Sequence, residues 1–344
     1  MRRQSGLSLV ELMISIALGL VLMTGVVQMF LSSRVVFSTQ QGLSRIQETG
    51  RLAVDFISKD IRMAAHYGCY RPAAKSSIDN PKLKLKGATL AIGAGLHTDF
   101  DVGIMGYDSF GALPHGAAND LGAVTAIAGN ILVVRSANNA GVGVVLNAAN
   151  TAGALTAYTT ETIVNNCVRG ICVGGAAVAT DCAGAYVFPV SALAKAGNVL
   201  TVSHVAAWSL TDPLQSFALG DELLPVNTTV YFLATGAGGG PSLWQRTNTD
   251  AALELVEGVE NMRITYATSA NTTYRLASAL AATEWDFVQA VRVELLVRSL
   301  ENNVLNERQP YTFGGVLTTP PVTDRRMRQV FTTTAAIRSR MVLN

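Results

Sequence analysis

The stretch "GLSLVELMIS", Gly6 to Ser15, decides how this chain is read. Glu11 stands at the mouth of an otherwise apolar run. Leu12 to Ser33 carries no charge, and Leu12–Leu31 is nearly all apolar. A carboxylate surrounded by lipid costs on the order of 2.5–3.5 kcal/mol at a bilayer centre. Something must offset that cost. Arg2 and Arg3 precede the run, and positive charge before a hydrophobic segment holds the start of the chain in the cytoplasm. A run of about 20 apolar residues is long enough to cross a bilayer as a helix.

An ordinary secretory signal is cut after its hydrophobic region, at a small-x-small site. "LMTGVVQMFLSSRV" offers no such site, and the small residue that stands out is Gly6, before the run. A cut after Gly6 removes both arginines and leaves Leu7 with a free amine. Leu7 and Glu11 then lie one helical turn apart on one face. Amine and carboxylate can pair within one chain or between neighbours in a bundle. Pairing between neighbours fixes axial register, because an unpaired charge in a low dielectric is strongly unfavourable. The alternative is an uncut signal anchor with a chance glutamate.

A basic leader, Gly6, Leu7, Glu11 and a span together resemble the class III signal of type IV pilins and type II secretion pseudopilins. In that family a prepilin peptidase cuts after the glycine and methylates the new amine. The resemblance therefore implies cleavage between Gly6 and Leu7, N-methylation of Leu7, and an assembly role for Glu11.

The first proline is Pro72. Val36, Leu43, Ile46, Ala53, Ile57 and Ala64 follow helical steps and form an amphipathic stripe. Arg51, Asp55 and Lys59 stand four apart with alternating sign and support the outer face. The spacing predicts one helix to about Ala65, about 58 residues and roughly 85 Å long, stopped by Gly68 and Pro72. Many major pilins carry a proline in the apolar half of this helix, whereas this chain has only Gly19 and Gly25 there.

Beyond Pro72, short apolar runs alternate with Gly, Asn, Asp and Pro clusters, which reads as β-structure. Strands are expected at Asn130–Ala137, Ala185–Ala192, Asn198–Trp208 and Met262–Ala267. Thr228–Thr235 and Ser242–Thr247 are expected to pair across "GAGGGP". Leu253–Val259 reads as a short helix. "AVRVELLVRS" places Val291, Val293, Leu295 and Val297 on one face, and "QVFTTTAAIRSRM" reads as a last strand. Gly87–Thr160 reads as long loops or an inserted subregion, apart from Asn130–Ala137. The expected fold class is α+β: a long N-terminal spine helix packed on a mostly antiparallel β-domain. The expected organisation is a leader over 1–6, a transmembrane and assembly half of the helix over 7–33, its amphipathic half over 34–66, and an extracytoplasmic β-rich domain over 67–344.

The four cysteines, Cys69, Cys167, Cys172 and Cys182, all follow the apolar run. On the far side of a membrane an even count reads as two disulfides, for which three pairings exist. Free buried thiols are the alternative. Their spacings fit no common zinc pattern. Cys167–Cys172 closes a short local loop, and Cys69–Cys182 ties the helix end to the sheet; these are the pairings expected.

Other chemistry is sparse. The net charge is +2 and charged residues make up 15% of the chain, against roughly 25% in an average domain, so no strong field for nucleic acid is present. The four histidines, His66, His97, His115 and His204, form no HExxH pattern. "HTDFD" (His97–Asp101) reads as a solvated loop rather than a metal site. "GVGVV" (Gly141–Val145) is no dinucleotide fingerprint, and no GxSxG elbow occurs. Arg325, Arg326, Arg328, Arg338 and Arg340 fall on both faces of the expected last strand. That distribution points to a subunit interface or solvated edge rather than a DNA groove. No enzyme activity, cofactor or metal is expected.

"DFISKDIRMAAHYGCY", "DCAGAYVF", "LVEGVENMRITY" and "RRMRQVFTTTAAIRSRM" are similar to PilW-type minor pilins. Ala65 stands where the family pattern has a glycine, which bears on the bend after the helix. The resemblance implies a minor pilin that primes type IV pilus assembly and sits at or near the tip. Its implied partners are other minor pilins, the major pilin, the prepilin peptidase, the inner-membrane assembly platform and a tip adhesin. It implies a single inner-membrane pass with most of the chain periplasmic, then the pilus at the cell surface. The alternatives are a J-like minor pseudopilin of type II secretion, or an uncut membrane-anchored extracytoplasmic binding protein.

Overall fold

The computed structural model describes residues 8–69, 95–98, 102–127, 129–137, 143–181, 184–205, 207–212 and 215–340. Helix α1 runs from Leu9 to Met63, 55 residues, and a short α2 covers Ala117–Leu121. The strands are β1 Ile104–Tyr107, β2 Ile131–Ala137, β3 Val144–Leu146, β4 Ala154–Tyr158, β5 Cys167–Val168, β6 Ile171–Cys172, β7 Ala176–Thr180, β8 Ala185–Ala196 and β9 Val199–His204. They continue as β10 Glu222–Thr235, β11 Pro241–Thr247, β12 Leu253–Glu257, β13 Val259–Thr268, β14 Val288–Arg298, β15 Tyr311–Phe313, β16 Val316–Thr318 and β17 Arg328–Ala336. Among the described residues these strands pair antiparallel. The expected α+β class, a long helix packed on antiparallel sheets, is the fold observed.

The chain divides into two compact units. One holds residues 1–48 and 298–329. Here the helix is joined to the later segment by Thr39 Oγ1, which donates to Val304 O at 3.2 Å. Arg45 pairs with Glu301 at 3.0 Å, both exposed, so the ion pair contributes little. Gly42 is a contact point, since a Cβ there would sit 3.0 Å from Val304 Cγ1. Val36 and Leu43, on the stripe expected to be buried, stay 50% and 40% exposed. In this unit the stripe is only partly covered.

The other unit holds residues 49–297 and 330–344. Its helical part buries Ala53, Ile57, Ile61 and Ala64 completely. Tyr231 of β10 donates to Asp60 Oδ2 at 2.7 Å and ties the helix to the sheet. The helix ends where Ala65 takes φ +56°, the left-handed region that costs a non-glycine residue about 1–2 kcal/mol. This is the position where the family pattern has glycine. The strained residue is held by hydrogen bonds on either side: Ala65 N donates to Arg135 O at 2.9 Å and Ala137 N to His66 O at 2.7 Å. The exit from the helix is thereby laid beside β2.

Strand β10 organises this unit. At its start Glu222 faces Val145 of β3 on one edge and Thr180 of β7 on the other. From β3 the pairing passes through β4, β9 and β8 back to β7. The ring closes into a small barrel with no free edge. Leu146, Leu155, Ala157, Leu200, Val202 and Leu223 fill it and are at most 1% exposed. The later part of β10 changes neighbours to β2 and β11, with β1 and β12 beyond them. A separate sheet runs β13-β14-β17.

Two sequence expectations are corrected. Leu253–Glu257 is a strand, not a helix, because it pairs with β11, with a register shift at Leu243/Trp244. Within Gly87–Thr160, β1, β3 and β4 are strands of the two sheet regions joined at β10, not loops. The expected strands at Asn130–Ala137, Ala185–Ala192, Met262–Ala267 and Ala290–Ser299 are present, the last as β14. So is the hairpin across "GAGGGP", which closes at Thr235 and Pro241.

Candidate functional site: the N-terminal helix

The first part of α1 is apolar on every side. Leu9, Met13, Leu20, Val21 and Phe30 are each more than 60% exposed. The most apolar window of the helix has mean hydropathy 2.3 and none of it is buried. A helix that is hydrophobic all round and uncovered is built for lipid or for other helices. Glu11 is the single charged residue from Ser8 to Ser33 and lies in the first helical turn. At a helix N-terminus the aligned peptide dipoles favour a carboxylate. Ser15 Oγ donates to the Glu11 backbone carbonyl at 2.7 Å, and Glu11 is exposed. Gly19, one further turn along, has open space beside it. Gly6 and Leu7 lie outside the described residues.

Cys167 and Cys172 are disulfide-bonded, the local pairing expected. They face each other across β5 and β6. The turn between them has Arg169 at φ +47° and Gly170 at φ +78°, the pattern of a tight two-residue hairpin. Arg169 also pairs with Glu161 at 2.7 Å. Cys69 is disulfide-bonded as well. The expected Cys69–Cys182 bond falls on Cys182, which lies outside the described residues.

The arginines near the C-terminus are not on one strand. β17 begins at Arg328, so Arg325 and Arg326 precede it, and Arg338 and Arg340 follow in a single 3-10 turn. Arg328 is 5% exposed, pairs with Asp324 at 2.6 Å and lies over the Tyr311 ring. It is spent on internal structure. His204 stacks on Trp208 at 4.1 Å in an aromatic cluster with Phe188. Of "HTDFD", His97 is described and residues 99–101 are not. Among the described residues no three His, Cys, Asp or Glu side chains converge as metal ligands. The cavity of about 350 Å³ beside Leu43, Gln47, Leu305, Gln309, Met327 and Arg328 gathers aliphatic and amide groups, with no acid–base pair.

Sequence reasoning found the local disulfide. It missed Asp60 and Tyr231, whose pairing depends on two segments far apart in the chain. Asp60 has one visible signal, an acid turned toward the buried side of the helix. Burial holds its carboxyl above the usual aspartate range, against the lowering effects of the Tyr231 hydrogen bond and of Lys59.

Comparison with known proteins places two families on this chain. The family described as Prokaryotic N-terminal methylation motif matches residues 1–27. Type IV Pilus-assembly protein W matches residues 230–339. No curated protein matches. Among solved structures, a type IV-like pilin, TTHA1219 from Thermus thermophilus, is 18% identical over 48% of this chain and 84% of that one, with a TM-score of 0.23. The motif and the apolar helix are consistent with an inner-membrane prepilin that passes into a pilus. The two matches lie at opposite ends of the chain, and in those stretches it is similar to type IV pilus-assembly proteins of the PilW family and to proteins with the N-terminal methylation motif.

Proposed function

We propose that this protein is a minor pilin that primes type IV pilus assembly and takes a place at or near the tip. The observation that carries the reading is Glu11, the one charge between Ser8 and Ser33, in the part of α1 whose apolar surface is uncovered. Before assembly the apolar half of α1 spans the inner membrane, with Arg2 and Arg3 on the cytoplasmic side. The prepilin peptidase cuts after Gly6 and methylates Leu7. Glu11 then pairs with the N-terminal amine of a neighbouring subunit. The charge pair offsets the cost of each partner in lipid and sets the axial position at which the subunit enters. The β-rich part selects other minor pilins, the major pilin and a tip adhesin, while the inner-membrane assembly platform drives extrusion.

Glu11→Ala tests this directly in piliated cells. The variant is expected to reach the membrane at normal level and to enter pili poorly, with few surface fibres. Full surface piliation by the variant contradicts the pairing.

A further inference from the structure

We infer that the outer edge of β17, from Val330 to Thr334, accepts an extended strand from a neighbouring pilus subunit. β17 ends its sheet, with β14 on its inner side. Ser299 N donates to Met327 O at 2.8 Å and Ile337 N to Gln289 O at 2.9 Å. The two bonds share one antiparallel register, so odd-numbered residues of β17 turn their backbone groups toward β14. Even-numbered residues turn theirs outward. At Arg328 the outward groups are already satisfied. The Gln309 side chain accepts from Arg328 N at 2.8 Å and donates to Arg328 O at 3.1 Å, standing in for a strand.

From Val330 onward no described backbone or side chain of the same unit takes that place. Thr332 and Thr334 are exposed. The outward N–H and C=O groups of Val330, Thr332 and Thr334 form a row that an extended backbone matches.

Two other sheet ends are treated differently. β13 is covered where Asn130 N donates to Met262 O at 3.0 Å and Asn130 Oδ1 accepts from Ile264 N at 2.7 Å. β12 carries Glu254 and Glu257 and an irregular register. Proteins protect an open edge with charge, proline or a bulge. "VFTTTAAI", Val330 to Ile337, has no charge and no proline. An unguarded edge of that kind in a chain similar to pilus-assembly proteins fits a strand supplied by another subunit, with uncharged side chains beside the threonines.

This inference rests on the pilin reading, so the test separates the two. The full chain is used in its own piliated cells. Thr332→Pro deletes one outward N–H at a position where an edge strand tolerates proline. Thr334→Lys keeps every backbone group and adds a guarding charge. Protein level and the Cys167–Cys172 bond on non-reducing gels report folding, and Thr334→Lys decides the matter if Thr332→Pro is degraded. Both variants are expected to accumulate while surface pili fall to the level of cells lacking the chain. A photoreactive residue placed at Thr332 is expected to join one extended segment of a second pilin, mapped by peptide mass. Normal piliation with folded Thr334→Lys, or adducts absent or scattered over unrelated segments, overturns the inference. If Glu11→Ala lowers piliation and the edge variants do not, the edge inference falls and the pilin reading stands. If Glu11→Ala also leaves piliation unchanged, the reading beneath it falls too.

Discussion

Tyr231 donates a hydrogen bond to Asp60 Oδ2 at 2.7 Å and accepts one from Gln245 Nε2 at 3.1 Å. The three residues come from α1, β10 and β11. They set a polar clamp between the helix and the sheet, beside side chains that are otherwise apolar. Burial makes the clamp sensitive to charge, because it raises the Asp60 carboxyl and disfavours its ionised form.

Stability should therefore fall as pH rises through the Asp60 transition. The native state holds the Asp60 proton above the ordinary value of 3.8, where the unfolded chain has lost it. Between the two values the folded form binds more protons, so stability decreases with rising pH. The contribution is fully present below the ordinary value and gone above the raised one. Asp60→Asn should flatten this part of a denaturant-midpoint profile against pH. An unchanged slope in Asp60→Asn argues against the clamp. Tyr231→Phe should cost about 1 kcal/mol near neutral pH, where Asp60 loses its donor.

Gly50 should resist the exchange that helix propensity favours. Alanine in a helix interior is better than glycine by about 1 kcal/mol. Here the Phe331 ring covers the site, and a Cβ would overlap its Cε2. Gly50→Ala should destabilise the protein by about 1–3 kcal/mol through overpacking. Phe331→Leu in the same chain should recover part of that loss. Stabilisation by Gly50→Ala alone would show that the ring moves aside without cost.

Opening the Cys167–Cys172 bond should lower stability by about 2 kcal/mol, the chain-entropy value for so short a loop. Unfolding of Cys167→Ser/Cys172→Ser in denaturant measures it. The barrel should survive, since strands β3, β4, β7, β8, β9 and β10 pair with one another without the hairpin, which adds only Val168 and Ile171 to the core. Loss of the whole β-fold in the double variant would contradict this.

The helix was legible because its signals are local. A charge-free run, a stripe at helical spacing and a glycine stop each sit within a few turns of sequence. Val291, Val293, Leu295 and Val297 were legible for the same reason, and all four are buried. The barrel was hidden. Its closure depends on Glu222 meeting both Val145 and Thr180, contacts that no local pattern encodes. β3 and β4 are short and lie in sequence rich in Ala, Gly and Asn, residues that carry little strand signal. Leu253 and Val256 stand three apart and mimic a helical face, yet β11 offers a partner and the strand wins. In the candidate site Glu11 was plain because a lone charge in an apolar run is costly. The edge of β17 was not, since an unpaired backbone row has no residue type of its own.

The mature N-terminus tests the central claim most directly. Intact-mass and terminal-peptide measurement of the chain from cell membranes should show Met1–Gly6 removed and a methyl group on the Leu7 amine. A mature chain that keeps Met1, Arg2 and Arg3 has no new amine for Glu11 to meet, and it would contradict the account.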